Sequence, residues 1–153
     1  MGGRRKKGDK ITDIAFFDDS MVLGDNDGTT ITIVEFKKPS RNNYAFGNSA
    51  SDPVLQVIET LDKAVAHGGI SKTDGSHFSF TGVIKRFAFI VADHTDTLVK
   101  VLRWHDLKND WNPKIFVRYR ENDRMLIQAF GYDTLTENAK KRNQAFFSVL
   151  LGD

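Results

Sequence analysis

A carboxylate and an ammonium group stand two positions apart at the polar end of an apolar segment, residues 29–39 (TTITIVEFKKP). The β-branched residues of this segment favour a buried β-strand. Strand side chains alternate between two faces, so Glu35 and Lys37 emerge on the same face, roughly 7 Å apart. Pro39 has no N–H to donate and ends the strand. The spacing predicts a carboxylate and an ammonium group side by side at the end of a core strand. The alternative is a solvated surface ion pair, which contributes at most about 1 kcal/mol.

A second carboxylate, Asp13, lies in an earlier apolar segment, residues 11–17 (ITDIAFF). Carboxylates are hard oxygen ligands that suit Mg²⁺, and a site for this ion usually takes more than one of them. The cluster at residues 24–28 (GDNDG) is typical of a tight turn, so the two apolar segments are predicted to pair as an antiparallel hairpin. Asp13 and Glu35 are then candidate ligands of one metal ion.

Two registers of this hairpin agree with the sequence. A turn centred on residue 24 pairs Asp13 with Glu35. A turn centred on Asn26 pairs Phe17 with Glu35 and brings Asp19 to the diagonal position, although a β-bulge can absorb the difference. Asp19 is therefore a rival to Asp13 as the second ligand.

These residues resemble the PD-(D/E)xK phosphodiesterases, also called restriction-endonuclease-like nucleases. The family pattern is an Asp that opens one strand, a turn, and a second strand that ends in Glu-x-Lys, often followed by a basic residue and Pro. The matching segments are residues 12–14 (TDI) and 33–39 (IVEFKKP). The resemblance implies a metal-dependent nuclease in which Asp13, Glu35 and the backbone carbonyl of Phe36 hold Mg²⁺ or Mn²⁺. It also implies that Lys37 positions the attacking water.

The helix that follows the strand adds one further residue to the resemblance. Asp52 suits an N-cap and Pro53 the first helical position, and glycines at 68–69 end the apolar periodicity. In the family this helix often carries a Gln that faces the site, and Gln56 stands at the matching position. The companion Tyr of the family is replaced by Thr60, so only Gln56 is carried over. The alternative is an ordinary surface glutamine.

The N-terminus departs from the family. Residues 1–10 (MGGRRKKGDK) are basic and glycine-rich, which predicts either a flexible terminus or a segment that contacts phosphates. No helix precedes the Asp strand, and Thr12 replaces the frequent Pro of the family. We therefore expect a single domain over residues 1–153, which is either a fragment of a larger protein or a variant that has lost that helix.

Composition excludes several classes of protein. The 153 residues contain 40% hydrophobic and 27% charged residues, which is typical of a soluble globular domain. No apolar run approaches the roughly 18 residues of a membrane span, and no secretory signal follows the basic start. The absence of cysteine excludes disulfides and fits a cytoplasmic location. The net charge of +2 is too small to indicate nucleic-acid binding by itself, so any basic surface must be local.

The remaining segments predict an α/β domain. Loops are expected at residues 38–51 and 70–80, and Tyr44 or Phe46 in the first loop is a candidate to stack on a base, although disorder of this loop is the alternative. Thr134 and Glu137 form a capping box for a last helix whose inward face is predicted to carry Ala139, Phe146, Val149 and Leu150. Strands are expected at 83–91, 114–119 and 124–130, with a helix at 95–105. The order ββαβαββα predicts a central mixed sheet flanked by helices, with a restriction-endonuclease-like core.

Three functions remain open from the sequence. The leading hypothesis is a metal-dependent nuclease that acts on DNA or, as the second choice, on RNA. The alternative is a non-catalytic module that keeps the nuclease fold and binds nucleic acid or another partner. The third is an unrelated α/β domain that serves as an assembly surface. No membrane partner is expected, and either a homodimer or attachment to a larger multidomain protein is compatible with the sequence. The four histidines, at 67, 77, 94 and 105, show no zinc-type spacing.

Overall fold

The computed structural model describes residues 14–20, 28–71 and 74–152, with side chains at all of these except 14–20, 70–71, 78 and 146–147. The elements, in chain order, are β1 (Ile14–Ser20), β2 (Gly28–Phe36), α1 (Pro53–Ala66), β3 (Gly69–Ser71), β4 (His77–Ser79), β5 (Val83–Val91), α2 (Asp96–Trp104), β6 (Ile115–Arg120), β7 (Met125–Phe130) and α3 (Tyr132–Leu151). Within these ranges, no helix is both long and apolar enough to cross a bilayer.

Five of the strands form one mixed sheet in the order β1-β2-β5-β7-β6. The three central strands are parallel, and the two edge strands pair antiparallel with their neighbours. The parallel pairs require crossovers, which α1 and α2 supply. The predicted α/β fold with a central mixed sheet is confirmed.

The hydrophobic core lies between one face of this sheet and helices α1 and α2. Alternate residues of β2 are buried, beginning with Thr29 and Ile31, because strand side chains alternate between the two faces. The facing helices contribute apolar residues at helical spacing, among them Leu61 of α1 and Leu98 and Leu102 of α2. Glu35 belongs to the same buried face of β2 as Ile31, and Lys37, one residue beyond the strand end, is also buried.

The prediction of a loop over residues 70–80 is wrong. This segment contributes to a two-stranded antiparallel sheet, in which Gly69 pairs with Ser79 and Ser71 with His77. Asp74 helps to close the connection, since its Oδ1 accepts hydrogen bonds from the amide and the hydroxyl of Ser76. Three-residue strands are too short for a repeat of two residues to be visible in a sequence.

The predicted capping box of the last helix is also wrong. Helix α3 begins three residues earlier, at Tyr132, with Gly131 instead of Thr134 at the N-cap and no side-chain cap. Thr134 is buried inside the first turn, and the Glu137 carboxylate pairs with Lys114 instead of a backbone amide. The physical reason is tertiary: Tyr132 is held against the end of β2, and this contact determines where the helix starts.

The predicted inward face of α3 is not found. Ala139 is exposed, and Val149 and Leu150 are 83% and 62% exposed. Phe146 has no described side chain. Helical periodicity identifies an apolar stripe but does not specify a surface that covers it.

Candidate active site

Glu35, Lys37 and Gln56 form a closed set of hydrogen bonds at the end of β2. The Lys37 Nζ lies 2.8 Å from Glu35 Oε1 and 2.6 Å from Gln56 Oε1. The Gln56 Nε2 donates to Glu35 Oε1 at 2.6 Å, which closes the set. The side chains of Lys37 and Glu35 are only 10% and 8% exposed. The alternative of a solvated surface ion pair is therefore wrong, and Gln56 is not an ordinary surface glutamine.

The end of β2 is held in place from two sides. The Lys37 amide donates to the Val91 carbonyl at 2.9 Å, which extends the parallel pairing with β5 by one residue beyond Phe36. On the other side, the Tyr132 hydroxyl donates to the Lys37 carbonyl at 2.6 Å, and its ring stacks on Phe36 with centroids 6.5 Å apart. The backbone that carries Glu35 and Lys37 is thus fixed by the neighbouring strand and by the first turn of α3.

The N-terminus of α1 positions Gln56. Asp52 accepts hydrogen bonds from the amides of Leu55 and Gly47, at 3.0 and 3.1 Å, and Pro53 occupies the first turn, as the sequence predicts. Gln56 follows on the next turn, where it reaches the end of β2. The predicted helix is confirmed, and so is the proximity of Gln56 to Glu35 and Lys37.

The hairpin of β1 and β2 has the first of the two predicted registers. The described pairs run from Ile14 opposite Val34 to Ser20 opposite Gly28, and each pair is centred on residue 24. Asp19 pairs with Thr29, which is six residues, or roughly 20 Å, along the strand from Glu35. The register that brings Asp19 to Glu35 is therefore wrong. Asp13 lies outside the described residues.

The donor atoms at this strand end fit a hard cation such as Mg²⁺ or Mn²⁺. Both described hydrogen bonds to Glu35 end on Oε1, so Oε2 takes no part in them. The Phe36 carbonyl is a second oxygen donor of the same strand. Among the described residues, no group of three or more His, Cys, Asp or Glu side chains is arranged to hold a metal ion.

A cleft of about 620 Å³ opens beside the site, where β5 and β7 end. Its lining includes Asp93, His94 and Tyr132, and Tyr132 connects it to Lys37. Burial lowers the pKa of His94, although a hydrogen bond to the Ala129 carbonyl and the charge of Asp93 act in the opposite direction. The His94 Nε2 atom is buried and has no hydrogen-bond partner within the described ranges. The sequence offers one signal for His94, its position three residues after the end of the core strand β5.

The loop between β2 and α1 is held by hydrogen bonds to α2 and to the segment that precedes α2. The Ser40 amide donates to Asp93 Oδ2 at 2.6 Å, and the Tyr44 amide donates to Thr97 Oγ1 at 3.2 Å. Tyr44 is buried in the core, and this burial raises its pKa against the opposing charge of Arg41. The prediction that Tyr44 stacks on a base is therefore wrong, because its ring is buried. Phe46, the other candidate, is exposed.

Comparison with family models, with curated proteins and with solved structures finds no match to this chain.

Proposed function

We propose that this protein is a metal-dependent nuclease of the PD-(D/E)xK type, which hydrolyses phosphodiester bonds in DNA, with RNA as the second choice. In this proposal Asp13, Glu35 and the Phe36 carbonyl hold Mg²⁺ or Mn²⁺. The observation that carries the proposal is the closed contact of Glu35, Lys37 and Gln56 at the end of a central parallel strand.

The energetics of this contact favour a functional role. Desolvating two charges costs free energy that their attraction only partly returns, so an apolar pair of similar volume would stabilise the fold at least as well. The chain nevertheless buries both charges. Glu35 follows Ile33 on the buried face of β2, and Lys37 is the next residue in the same alternation, just beyond the strand end. Ligands of open α/β sheets bind at the carboxyl ends of the parallel strands, and Glu35 and Lys37 lie at that end of β2.

The residues divide the chemistry between them. An ammonium group has three N–H donors, and the contacts to Glu35 and Gln56 use two of them. We assign the third donor of Lys37 to the attacking water, and the positive charge to stabilisation of the phosphate as negative charge develops. Gln56 orients both partners, since its amide donates to one and accepts from the other. A bound metal ion would polarise a phosphate oxygen and lower the pKa of its water.

A second function rests on the same contact. The charge of Glu35 is already compensated by Lys37, which suits a non-catalytic module that keeps the site as part of its structure. Such a module would bind nucleic acid with an affinity that falls steeply with salt and does not depend on a divalent ion.

Cleavage of plasmid and oligonucleotide DNA in Mg²⁺ or Mn²⁺ tests the proposal. We expect Asp13→Asn, Glu35→Gln and Lys37→Met each to lower the cleavage rate at least 100-fold, because each removes a ligand or the group that positions water. Lys85→Met, which changes an exposed lysine near the opposite end of β5, is the matched control and should keep the wild-type rate.

Circular dichroism of each variant separates loss of activity from loss of the fold. The double variant Glu35→Gln/Lys37→Met, which removes both buried charges, should remain folded and inactive. Cleavage by Glu35→Gln and Lys37→Met at the wild-type rate would overturn the proposal of a nuclease. Binding of DNA in EDTA without cleavage under any metal condition would favour the non-catalytic module.

A further inference from the structure

The loop after β2 and the C-terminal end of α2 together expose a stacked group of aromatic rings. The Phe46 and Trp104 rings lie 5.3 Å apart at 25°, and Phe46 also contacts His105 at 5.1 Å. Trp104 is 71% exposed and Phe46 is 53% exposed. We call Phe46, Trp104 and His105 the aromatic surface. Two large apolar rings that stack on each other in solvent contribute little to the core, so their position requires another explanation.

Two cations border the aromatic surface. Lys100 and Arg103 lie on the same exposed side of α2 as Trp104, and the three residues line a shallow groove of about 360 Å³. Neither cation forms an ion pair with any carboxylate that the structure describes. The acidic residue of this helix face, Asp96, is two turns away, about 12 Å along the axis from Trp104. Aromatic faces bordered by positive charge suit the bases and phosphates of a nucleic acid.

The aromatic surface is attached to the candidate active site through one carboxylate. The ring of His105 is held by Asp52, with 2.7 Å between His105 Nε2 and Asp52 Oδ2. Asp52 also caps α1, and Gln56 follows one turn later, about 6 Å along the helix axis. These contacts connect the aromatic surface to Gln56, which in turn contacts Glu35 and Lys37.

We propose that the aromatic surface binds single-stranded DNA, with an unpaired base stacked on Trp104 and Phe46 and phosphates against Lys100 and Arg103. A duplex keeps its bases paired and stacked on each other, so the faces that these rings require are accessible only in unpaired nucleotides. This inference rests on the proposed nuclease function and extends it, since it names DNA with unpaired nucleotides as the substrate class. The binding itself does not require cleavage.

Fluorescence anisotropy of labelled oligo(dT) in EDTA tests the binding without any cleavage. We expect Trp104→Ala to weaken binding about ten-fold, since one stacking contact is lost. Phe46→Ala should weaken it by a smaller factor. Lys100→Ala and Arg103→Ala should weaken binding and reduce its dependence on salt, because each removes a phosphate contact. A duplex of the same length should bind more weakly than the single strand.

Trp111→Ala is the matched control, because Trp111 is 98% exposed and lies outside the aromatic surface. It should bind oligo(dT) as the wild type does. Equal affinity of wild type and Trp104→Ala, equal affinity for duplex and single strand, or no binding of oligo(dT) by the wild type would each overturn the inference.

The same measurements separate the two proposals. Metal-dependent cleavage that Trp104→Ala leaves unchanged, on duplex and single-stranded substrates alike, would retain the nuclease and exclude this substrate class. Binding of oligo(dT) that depends on Trp104, without cleavage in any metal, would retain the aromatic surface and exclude the nuclease.

Discussion

Lys37 is held by two oxygen acceptors at a position where little water reaches its ammonium group. A buried ion pair of this kind contributes little net stability, because the desolvation of two charges offsets their attraction. Removal of one partner has a different effect, since the remaining charge is then buried without compensation. We therefore expect the charges of Glu35 and Lys37 to be strongly coupled in their effect on the free energy of unfolding.

We expect Glu35→Gln and Lys37→Met each to lower the free energy of unfolding by about 3 kcal/mol, and the double variant to lose much less than the sum. Urea unfolding of the four proteins at pH 7 measures the coupling between the two positions. Additive losses would show that the contact is not the buried pair that its geometry indicates.

At the scale of elements, Asp52 joins α1 to α2. It caps α1 through the Leu55 amide and accepts from the His105 ring at the C-terminal end of α2. Burial raises the pKa of Asp52, but the hydrogen bonds from His105, Leu55 and Gly47 outweigh it and hold the pKa below its usual value. The unfolded chain thus binds a proton at a higher pH than the folded chain does, so the contribution of Asp52 to stability increases with pH in this range.

We expect Asp52→Ala to lower the free energy of unfolding by about 1–2 kcal/mol at pH 7, because the helix cap and the contact with His105 are both lost. The contribution of the carboxylate is complete above about pH 4, the unfolded pKa, and is lost as the pH falls through the lower pKa of the folded state. The variant should therefore lose less stability than the wild type between neutral and acid pH.

Urea unfolding at several pH values between 2 and 7 provides this comparison. Asp110→Asn, a change at an exposed aspartate, should follow the wild-type dependence on pH. If the free energy of unfolding falls equally with decreasing pH in Asp52→Ala and in wild type, the role assigned to this carboxylate is contradicted.

At the scale of the whole molecule, stability is unevenly distributed. The core joins the sheet to α1 and α2, and its fully buried residues include Leu61 and Ile90. Every residue of α3 after Thr134 whose side chain is described is exposed. Most of the stability of helices in proteins comes from packing of an apolar face, so a helix segment that buries no face depends on its own hydrogen bonds and opens more easily.

Native-state hydrogen exchange should reveal this difference. We expect the amides of β2 and β5 to exchange only through global unfolding, and those of α3 after residue 136 to exchange at least 100-fold faster, through local opening. Helix α1 is the internal comparison, since Val54, Val57 and Leu61 bury one side of it. Protection of α3 equal to that of α1 would mean that a surface covers α3 in solution.

The sequence by itself determined the features that depend on local periodicity and turn chemistry. It predicted the end of β2 with Glu35 and Lys37 on one face, the start of α1 at Asp52 and Pro53, and the mixed sheet. It left two hairpin registers open, and the pairing in the structure selected one of them. These features are local because alternation, helix caps and turns act over a few residues.

Only the tertiary structure decided which distant residues meet. The contact of Tyr132 with Lys37 joins positions 95 residues apart, and the burial of Tyr44 depends on its packing against the core. Tyr132 lies at the start of α3, and the apolar residues after Thr134 whose side chains the structure describes are exposed. The aromatic surface also arose in this way, since Phe46 and Trp104 belong to segments that no local pattern connects. Packing between elements selects such pairs, and a linear sequence does not contain the distances on which it depends.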